Sequence, residues 1–164
     1  MTKAKKRKQP KQKFRLKFLL IAAIAVLLTA FIGSQFTETG AWYESVKPSI
    51  TPPNYVFPIV WTSLFVLIAM SFYLAMASST RKENCKEIVP GYLFNFVLNM
   101  SWSLLFFTLK QPILAFVDLI LLWASTALMI YVTWRINKVA SWLLVPYLLW
   151  LTFAGVLNFL VMIA

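Results

Sequence analysis

Histidine is absent from this chain of 164 residues, and cysteine occurs once, as Cys85. No internal disulfide can form, and a structural zinc site built from several cysteines and histidines is excluded. The lack of histidine also excludes Ser-His-Asp and Cys-His catalysis and histidine ligation of haem iron. We therefore expect no metal site and no required cofactor, and any chemistry must use aromatic rings, amides, hydroxyls or carboxylates.

Acidic residues are also scarce, since five Asp and Glu stand against sixteen Lys and Arg. Charged residues make up 13% of the chain and apolar residues 60%, and the mean hydropathy is +0.74. An average globular chain has about 25% charged residues, so the excess hydrocarbon indicates a surface that faces lipid. Nine of the bases lie before residue 18, beside an uncharged apolar run. We expect no nucleic-acid partner, because this tail is typical of a membrane flank.

Five apolar segments are long enough to cross a bilayer. A helix needs about 20 residues to span a hydrocarbon core of ~30 Å. The segments cover residues 18–37, 56–77, 88–109, 111–134 and 139–163. They predict an all-α fold, an integral membrane five-transmembrane-helix bundle over residues 18–164, after a disordered basic tail over residues 1–17. We expect local kinks at Pro90 and Pro146, which lie nearer helix interiors than Pro58 and Pro112.

The basic residues predict an orientation. With the N-terminus in the cytoplasm, fourteen bases face that side, and only Lys47 and Lys110 face outside. The positive-inside rule then places the C-terminus and the long first connection outside. We expect the membrane to be a prokaryotic plasma membrane. The first apolar segment is longer than the core of a signal peptide, so we predict that it is a membrane span.

Polar side chains recur on one face of the third and of the fifth segment. The members are Asn95, Asn99, Ser103 and the adjacent Trp102 on the third, and Tyr147, Trp150, Ala154 and Asn158 on the fifth. A buried amide needs partners, so both faces should look into the bundle or into a cavity. Hydrogen bonding between helices is the simpler interpretation of the stripe on the third segment, and packing is the simpler interpretation of the stripe on the fifth. A binding site is the alternative for both.

One acid, Asp118, lies inside a predicted span, about two turns after Pro112. An ionised carboxylate there costs ~2.5–3.5 kcal/mol on insertion scales, which makes it a candidate functional group. The alternative is that Asp118 is protonated or reaches water at the nearby outer surface. Both interpretations stay open at this stage.

The first connection, residues 38–55, combines aromatic rings with several prolines. Prolines stiffen a loop, so its rings can be held over the end of the bundle at low entropic cost. A stiff aromatic lid over a bundle lined with amides predicts a pocket for a large, flat ligand.

Three stretches resemble the TspO/MBR family, the tryptophan-rich sensory proteins related to the mitochondrial translocator protein. They cover residues 42–62, with Trp42-Tyr43, Lys47-Pro48-Ser49 and Thr51-Pro52-Pro53, then residues 98–107 and 144–158. The resemblance implies a five-helix bundle, commonly dimeric, with a pocket that the first loop closes. It also implies binding of porphyrins or other tetrapyrroles, in a role in tetrapyrrole regulation, sensing or stress response.

The resemblance also assigns candidate ligand-binding positions. They are Trp42, Phe57, Trp61, Asn95, Asn99, Tyr147, Trp150, Ala154 and Asn158. We expect a protoporphyrin-like macrocycle among Trp61, Tyr147 and Trp150, with Asn99 donating a hydrogen bond to it. Lys47 is a further candidate, because it could pair with a propionate near the loop. Without histidine, metal-free porphyrin is the expected ligand.

Two departures from the family pattern bear on the ligand. Ile50 and Tyr55 stand where the pattern usually has tryptophan, so two indoles that face the ligand are missing. No Lys or Arg follows Lys138, so the basic residue of the cholesterol motif of mitochondrial relatives is absent, and we do not expect sterol binding.

Two other functions stay open. In the first, the protein degrades porphyrin in light, and Trp61 and Trp150 are catalytic because excited porphyrin with oxygen oxidises nearby indoles. In the second, it is a transporter or regulatory partner for hydrophobic ligands, although five helices are few for alternating access and no inverted repeat is visible. Small residues that permit close helix contact would suit a homodimer; they are Ser63, Ser71, Ala75 and Ser79.

Overall fold

The computed structural model describes residues 16–37, 39–79 and 82–163, and its regular elements are all helical. The helices are α1 (Leu16–Gln35), α2 (Ala41–Val46), α3 (Val56–Ser78), α4 (Lys82–Ser103), α5 (Pro112–Trp134), α6 (Lys138–Trp142) and α7 (Val145–Ile163). A π-helical turn, Leu104–Thr108, extends α4. The sequence predicted a basic tail over residues 1–17. Positions 1–15 of this tail lie outside the described residues, and positions 16 and 17 belong to α1.

Within the described residues, five helical stretches are long and apolar enough to cross a membrane by length and composition. They are Leu16–Gln35, Val56–Ser78, Lys86–Thr108, Pro112–Trp134 and Lys138–Ile163. Each coincides with a predicted span to within a few residues, so the prediction of an all-α, five-helix membrane bundle is confirmed. The short helix α2 lies inside the first connection, where the sequence had indicated only a proline-stiffened loop.

The bundle is organised around α5, which packs along α4 on one side and α7 on the other. Helix α1 lies against α3 and α4 and buries only Ala22, Val26 and Thr29. Large apolar side chains point outward along the spans, among them Leu27 with 67% and Leu149 with 65% of its surface exposed. Such a belt is costly in water and favourable in lipid, which is the physical reason for the unusual composition.

Two prolines lie where a helix begins, as the sequence predicted. Pro58 is in the first turn of α3 and Pro112 is the first residue of α5. Pro146 has a stronger effect than the predicted kink. It has no N–H to offer the carbonyl of Trp142, and the helix breaks into α6 and α7 at Leu143 and Leu144.

The stripe of small residues on α3 lies inside the monomer. Ser71, Ala75 and Ser79 are at most 5% exposed. The Ser71 hydroxyl donates to the Ala140 carbonyl at 2.6 Å, which fastens α3 to α6. Interpreting this stripe as a dimer contact is therefore wrong, because three of its four members are already covered by other helices.

Candidate ligand-binding cavity

A cavity of about 520 Å³ lies at the end of the bundle where α1 ends and α3 begins. Its walls come from α1, α3, α7 and α4 with its π-helical extension, and the first connection contributes Thr39, Tyr43, Pro48, Thr51 and Asn54. Small-molecule sites have volumes of about 300–1,000 Å³. Within residues 16–37, 39–79 and 82–163, the lining includes no Lys, Arg, Asp or Glu. The cavity therefore offers aromatic and apolar surface with a few amides and hydroxyls.

One wall is an aromatic group shared by α3 and α7. Phe57 meets Trp150 edge to face at a centroid distance of 5.9 Å, and Phe153 lies 5.5 Å from Trp150. Trp61 lies 5.4 Å from Phe65 and also contacts Tyr147. Neither the Trp61 nor the Trp150 indole N–H has an acceptor among the described residues. Both indoles line the cavity, so their N–H groups are available to a ligand.

The opposite wall is built from α4 and its π-helical turn. Trp102 stacks on Phe106 with an interplanar angle of 17° and meets Phe107 edge-on. Its indole N–H donates to Asn158 Oδ1 at 3.1 Å, and Asn158 Nδ2 donates to the Pro112 carbonyl at 2.9 Å. The Asn158 side chain therefore orients Trp102 through its amide oxygen and joins α7 to the start of α5 through its amide nitrogen.

Asn99 lies at the inner end of the cavity and is 8% exposed. Its Nδ2 donates to the Tyr147 hydroxyl at 3.2 Å, and that hydroxyl donates to Asn95 Oδ1 at 3.2 Å. Tyr147 and Asn95 have no exposed surface and do not line the cavity. The stripes on α4 and α7 therefore do meet, but Asn95 and Tyr147 lie behind the wall.

The first connection supplies the lid. Tyr43 of α2 is buried with its ring 5.5 Å from that of Phe107, and it lines the cavity. Trp42 packs on the edge of Phe106, 5.6 Å between centroids, outside the lining. Burial raises the pKa of the Tyr43 hydroxyl, and the negative charge of Glu44 adds to this. The hydroxyl therefore stays protonated at neutral pH.

Lys47 forms an ion pair with Glu44 one turn earlier, in the exposed part of the lid. The hydrogen bond from Lys47 holds the pKa of the Glu44 carboxyl below its ordinary value. Lys47 does not line the cavity. A ligand carboxylate would have to compete with Glu44 for this ammonium group.

The structure brings six of the ten predicted ligand-binding residues into one cavity: Phe57, Trp61, Asn99, Trp150, Ala154 and Asn158. The other four lie outside its lining: Trp42, Lys47, Asn95 and Tyr147. Sequence reasoning missed much of the α4 wall, including Phe106 and Phe107, although both continue the stripe of Asn99 and Ser103 at three- and four-residue spacing. An apolar ring in a span gives no sign in the sequence of whether it faces lipid or a cavity.

Asp118 is apart from the cavity. It is 8% exposed, and its Oδ2 atom is buried without a hydrogen-bond partner among the described residues. The other carboxyl oxygen, Oδ1, is not among the buried unpaired atoms, so whether Asp118 is protonated or reaches water at the outer surface stays a prediction.

A family model described as "TspO/MBR family" matches residues 19–163. The chain belongs to the TspO/MBR family. It is therefore an integral membrane protein, with the five apolar helices as its membrane-spanning part. The positions where the TspO/MBR pattern usually has tryptophan, Ile50 and Tyr55, are 54% and 68% exposed and do not line the cavity.

Individual TspO/MBR proteins match over most of the chain. A "Tryptophan-rich protein TspO" of Chlorobaculum tepidum is 37% identical over 139 residues, which is 83% of this chain and 88% of the relative. The "Translocator protein" of Homo sapiens is 34% identical over 84% of each chain. A "Tryptophan-rich sensory protein" of Cereibacter sphaeroides is 32% identical over 72% of this chain and 73% of the relative.

Proposed function

We propose that this TspO/MBR protein binds porphyrins, other tetrapyrroles or similarly flat hydrophobic molecules in the cavity beneath the first connection. The observation that carries the proposal is that Trp61 and Trp150, from two different helices, line one cavity with Asn99 at its inner end. Binding would serve tetrapyrrole regulation, sensing or a stress response, in keeping with the name of the Cereibacter sphaeroides relative, "Tryptophan-rich sensory protein".

The chemistry of the lining supports this ligand class. Aromatic rings on two walls can contact both faces of a flat molecule. The indole N–H groups of Trp61 and Trp150 can donate to acceptors on its edge. The described lining lacks charged side chains, which suits a mainly apolar ligand whose ionised carboxylates lie near the lid, on the side of Lys47.

The test is a titration of the full chain in detergent with protoporphyrin, followed by porphyrin absorbance. Trp61→Ala and Trp150→Ala should each weaken binding about tenfold, because each removes a large contact surface worth roughly 1–2 kcal/mol. Trp142→Ala is the matched control, since Trp142 is 62% exposed and does not line the cavity. Unchanged affinity in both cavity variants would show that the ligand binds elsewhere.

Light-dependent porphyrin degradation is the second candidate. It is favoured by the two indoles that line the same cavity, since excited porphyrin with oxygen oxidises nearby indoles. Illumination of the complex in air should then bleach the porphyrin in the wild type, and Trp61→Phe or Trp150→Phe should slow the bleaching. A porphyrin spectrum that stays constant in light would exclude degradation and leave ligand binding as the only proposed function.

A further inference from the structure

A chain of hydrogen bonds runs behind the inner end of the cavity, and it begins on α5. The Leu122 carbonyl accepts from Ser125 Oγ at 2.8 Å and from Thr126 Oγ1 at 2.9 Å. Each hydroxyl has one proton to give, so both oxygens are left as acceptors. Asn95 Nδ2 on α4 donates to these two oxygens, at 2.8 and 2.9 Å.

The chain continues to the cavity through α7. With both Asn95 N–H groups committed, its Oδ1 accepts, and the Tyr147 hydroxyl donates to it. The single Tyr147 proton is then used, so its oxygen accepts from Asn99 Nδ2. Every hydrogen bond in this chain points in one direction, from Asn99 towards Leu122.

The observed direction makes more hydrogen bonds than its reverse. It contains six, of which two end on the Leu122 carbonyl. If both amides were turned over, Ser125 and Thr126 would have to donate to Asn95 and would lose their bonds to Leu122. Buried polar groups strongly favour the better-paired arrangement. The amide of Asn99 is therefore oriented from behind, by residues that lie outside the cavity lining.

This orientation leaves Asn99 Oδ1 without a donor, and the second Nδ2 hydrogen without an acceptor, among the described residues, on a side chain that lines the cavity. We infer that Asn99 presents its carbonyl oxygen to the cavity as a fixed hydrogen-bond acceptor, and that the cavity selects flat ligands with an N–H or O–H donor at their edge. The inference rests on the proposed function, because it concerns a ligand of the same cavity.

An acceptor at Asn99 Oδ1 restricts which donor groups on a ligand can match it. The pyrrole N–H groups of a porphyrin point to the centre of the macrocycle, so they cannot reach an acceptor beside its edge. An aryl N–H, an amide N–H or a hydroxyl at the edge of a ligand can donate to such an acceptor. On a tetrapyrrole the matching group is the O–H of a protonated carboxyl side chain, which also suits a described lining without cationic residues.

Two small probes that differ only at the donor test the inference. Carbazole is flat and has an edge N–H, and N-methylcarbazole has a methyl group in its place. Affinities for the full chain in detergent are measured by energy transfer from tryptophan and corrected for partition into protein-free micelles. The wild type should bind carbazole about three- to tenfold more tightly than N-methylcarbazole, the preference that one buried hydrogen bond provides.

Positioning variants separate this preference from general packing. Tyr147→Phe removes the hydroxyl that holds Asn99, so the amide can turn its N–H groups to the cavity. The ratio of the two affinities should fall to about 1, while the affinity for N-methylcarbazole stays at the wild-type level. Asn95→Leu interrupts the chain one step further back and should lower the ratio likewise. If either variant fails to fold, Thr126→Val serves instead.

The control is Tyr92→Phe, which removes another buried tyrosine hydroxyl, one that lies 2.6 Å from Ser71 Oγ and away from the cavity. It should keep the wild-type ratio. The inference is overturned if the wild type does not distinguish the probes, or if the ratio survives both positioning variants. Ala154→Trp, which fills the cavity, should prevent binding of both probes. If the Ala154→Trp variant binds both probes as tightly as the wild type, the proposed cavity function itself is refuted.

Discussion

Asp118 buries a carboxyl group where the helices around it offer no hydrogen-bond donor within the described residues. Its neighbours on the inner face of α5 are apolar, among them Ala115, Leu119 and Leu122. The sequence showed only that an acid lies inside a span. Its burial and its missing partner depend on the rotation of α5 in the bundle, which packing against α4 and α7 sets.

We predict that Asp118→Leu raises the thermal midpoint of the protein in detergent. An unpaired buried polar group costs about 1–3 kcal/mol, and leucine fills a similar volume without that cost. Asp118→Ala is the matched variant, because it removes the carboxyl but leaves a void. Tryptophan fluorescence during heating provides the measurement. A drop in the midpoint of Asp118→Leu would mean that the carboxyl makes a stabilising interaction.

At the scale of elements, the turn between α4 and α5 is unusually tight. Lys110 has φ 53°, in the left-handed region that favours glycine. The turn is closed by hydrogen bonds from Leu109 N–H to the Leu104 carbonyl and from Gln111 N–H to the Leu105 carbonyl, both at 2.9 Å. These bonds end the π-helical turn that carries Phe106 and Phe107 into the cavity wall.

We predict that Lys110→Gly stabilises the protein by about 0.5–1 kcal/mol, because glycine adopts a positive φ without steric cost. The neighbouring Gln111→Gly is the control. Gln111 has φ −113°, so glycine there only adds freedom to the unfolded chain and should lower stability. Thermal midpoints of both variants decide the matter, and equal shifts would argue against strain at Lys110.

The α3 stripe provides a second prediction about an element. Ala75 has no exposed surface, so Ala75→Leu should overpack the bundle and cost about 1–3 kcal/mol. Ser63, a member of the same stripe, is exposed, and Ser63→Leu should change stability by less than about 0.5 kcal/mol. A change of oligomer mass by light scattering in Ala75→Leu, with an unchanged thermal midpoint, would instead support the dimer interpretation.

At the scale of the whole molecule, the cavity distinguishes one end of the bundle from the other. The cavity and its lid lie at the end that contains Lys47 and Lys110. The opposite end contains Arg135 and Lys138, where Trp134 and Trp142 meet edge to face at 6.2 Å. This pairing of aromatic and basic residues is typical of a membrane interface on the cytoplasmic side.

We propose that the lid faces outside the cell and the N-terminus lies in the cytoplasm, and labelling can test this. Cys85 is the only cysteine, so Cys85→Ser gives a background without thiols. In that background, Ser45→Cys in the exposed part of α2 should react with a membrane-impermeant maleimide in intact cells. Lys138→Cys, at the other end of the bundle, should react only after lysis. The reverse pattern would invert the proposed orientation.

The sequence predicted the spans and the pairing of the polar stripes more fully than it predicted the individual ligand contacts. The five spans followed from apolar length alone, because lipid imposes one simple requirement on every span. The pairing of the α4 and α7 stripes followed from the cost of burying amides. The detailed assignment of ligand contacts was harder, since Asn95 and Tyr147 have the same periodicity as Asn99 and Trp150 but face neighbouring helices instead of the cavity.

Composition and periodicity by themselves determined the helical class, the number of spans and the inward direction of the polar stripes, and the family resemblance supplied the grouping of Trp61 with Trp150. The tertiary structure decided what no single helix contains: the burial of Asp118 and of the α3 stripe, the wall built from the π-helical turn, and the orientation of the Asn99 amide. The physical reason is that lipid and hydrophobicity act on each helix separately, whereas hydrogen-bond direction and cavity shape depend on three or four helices meeting at once.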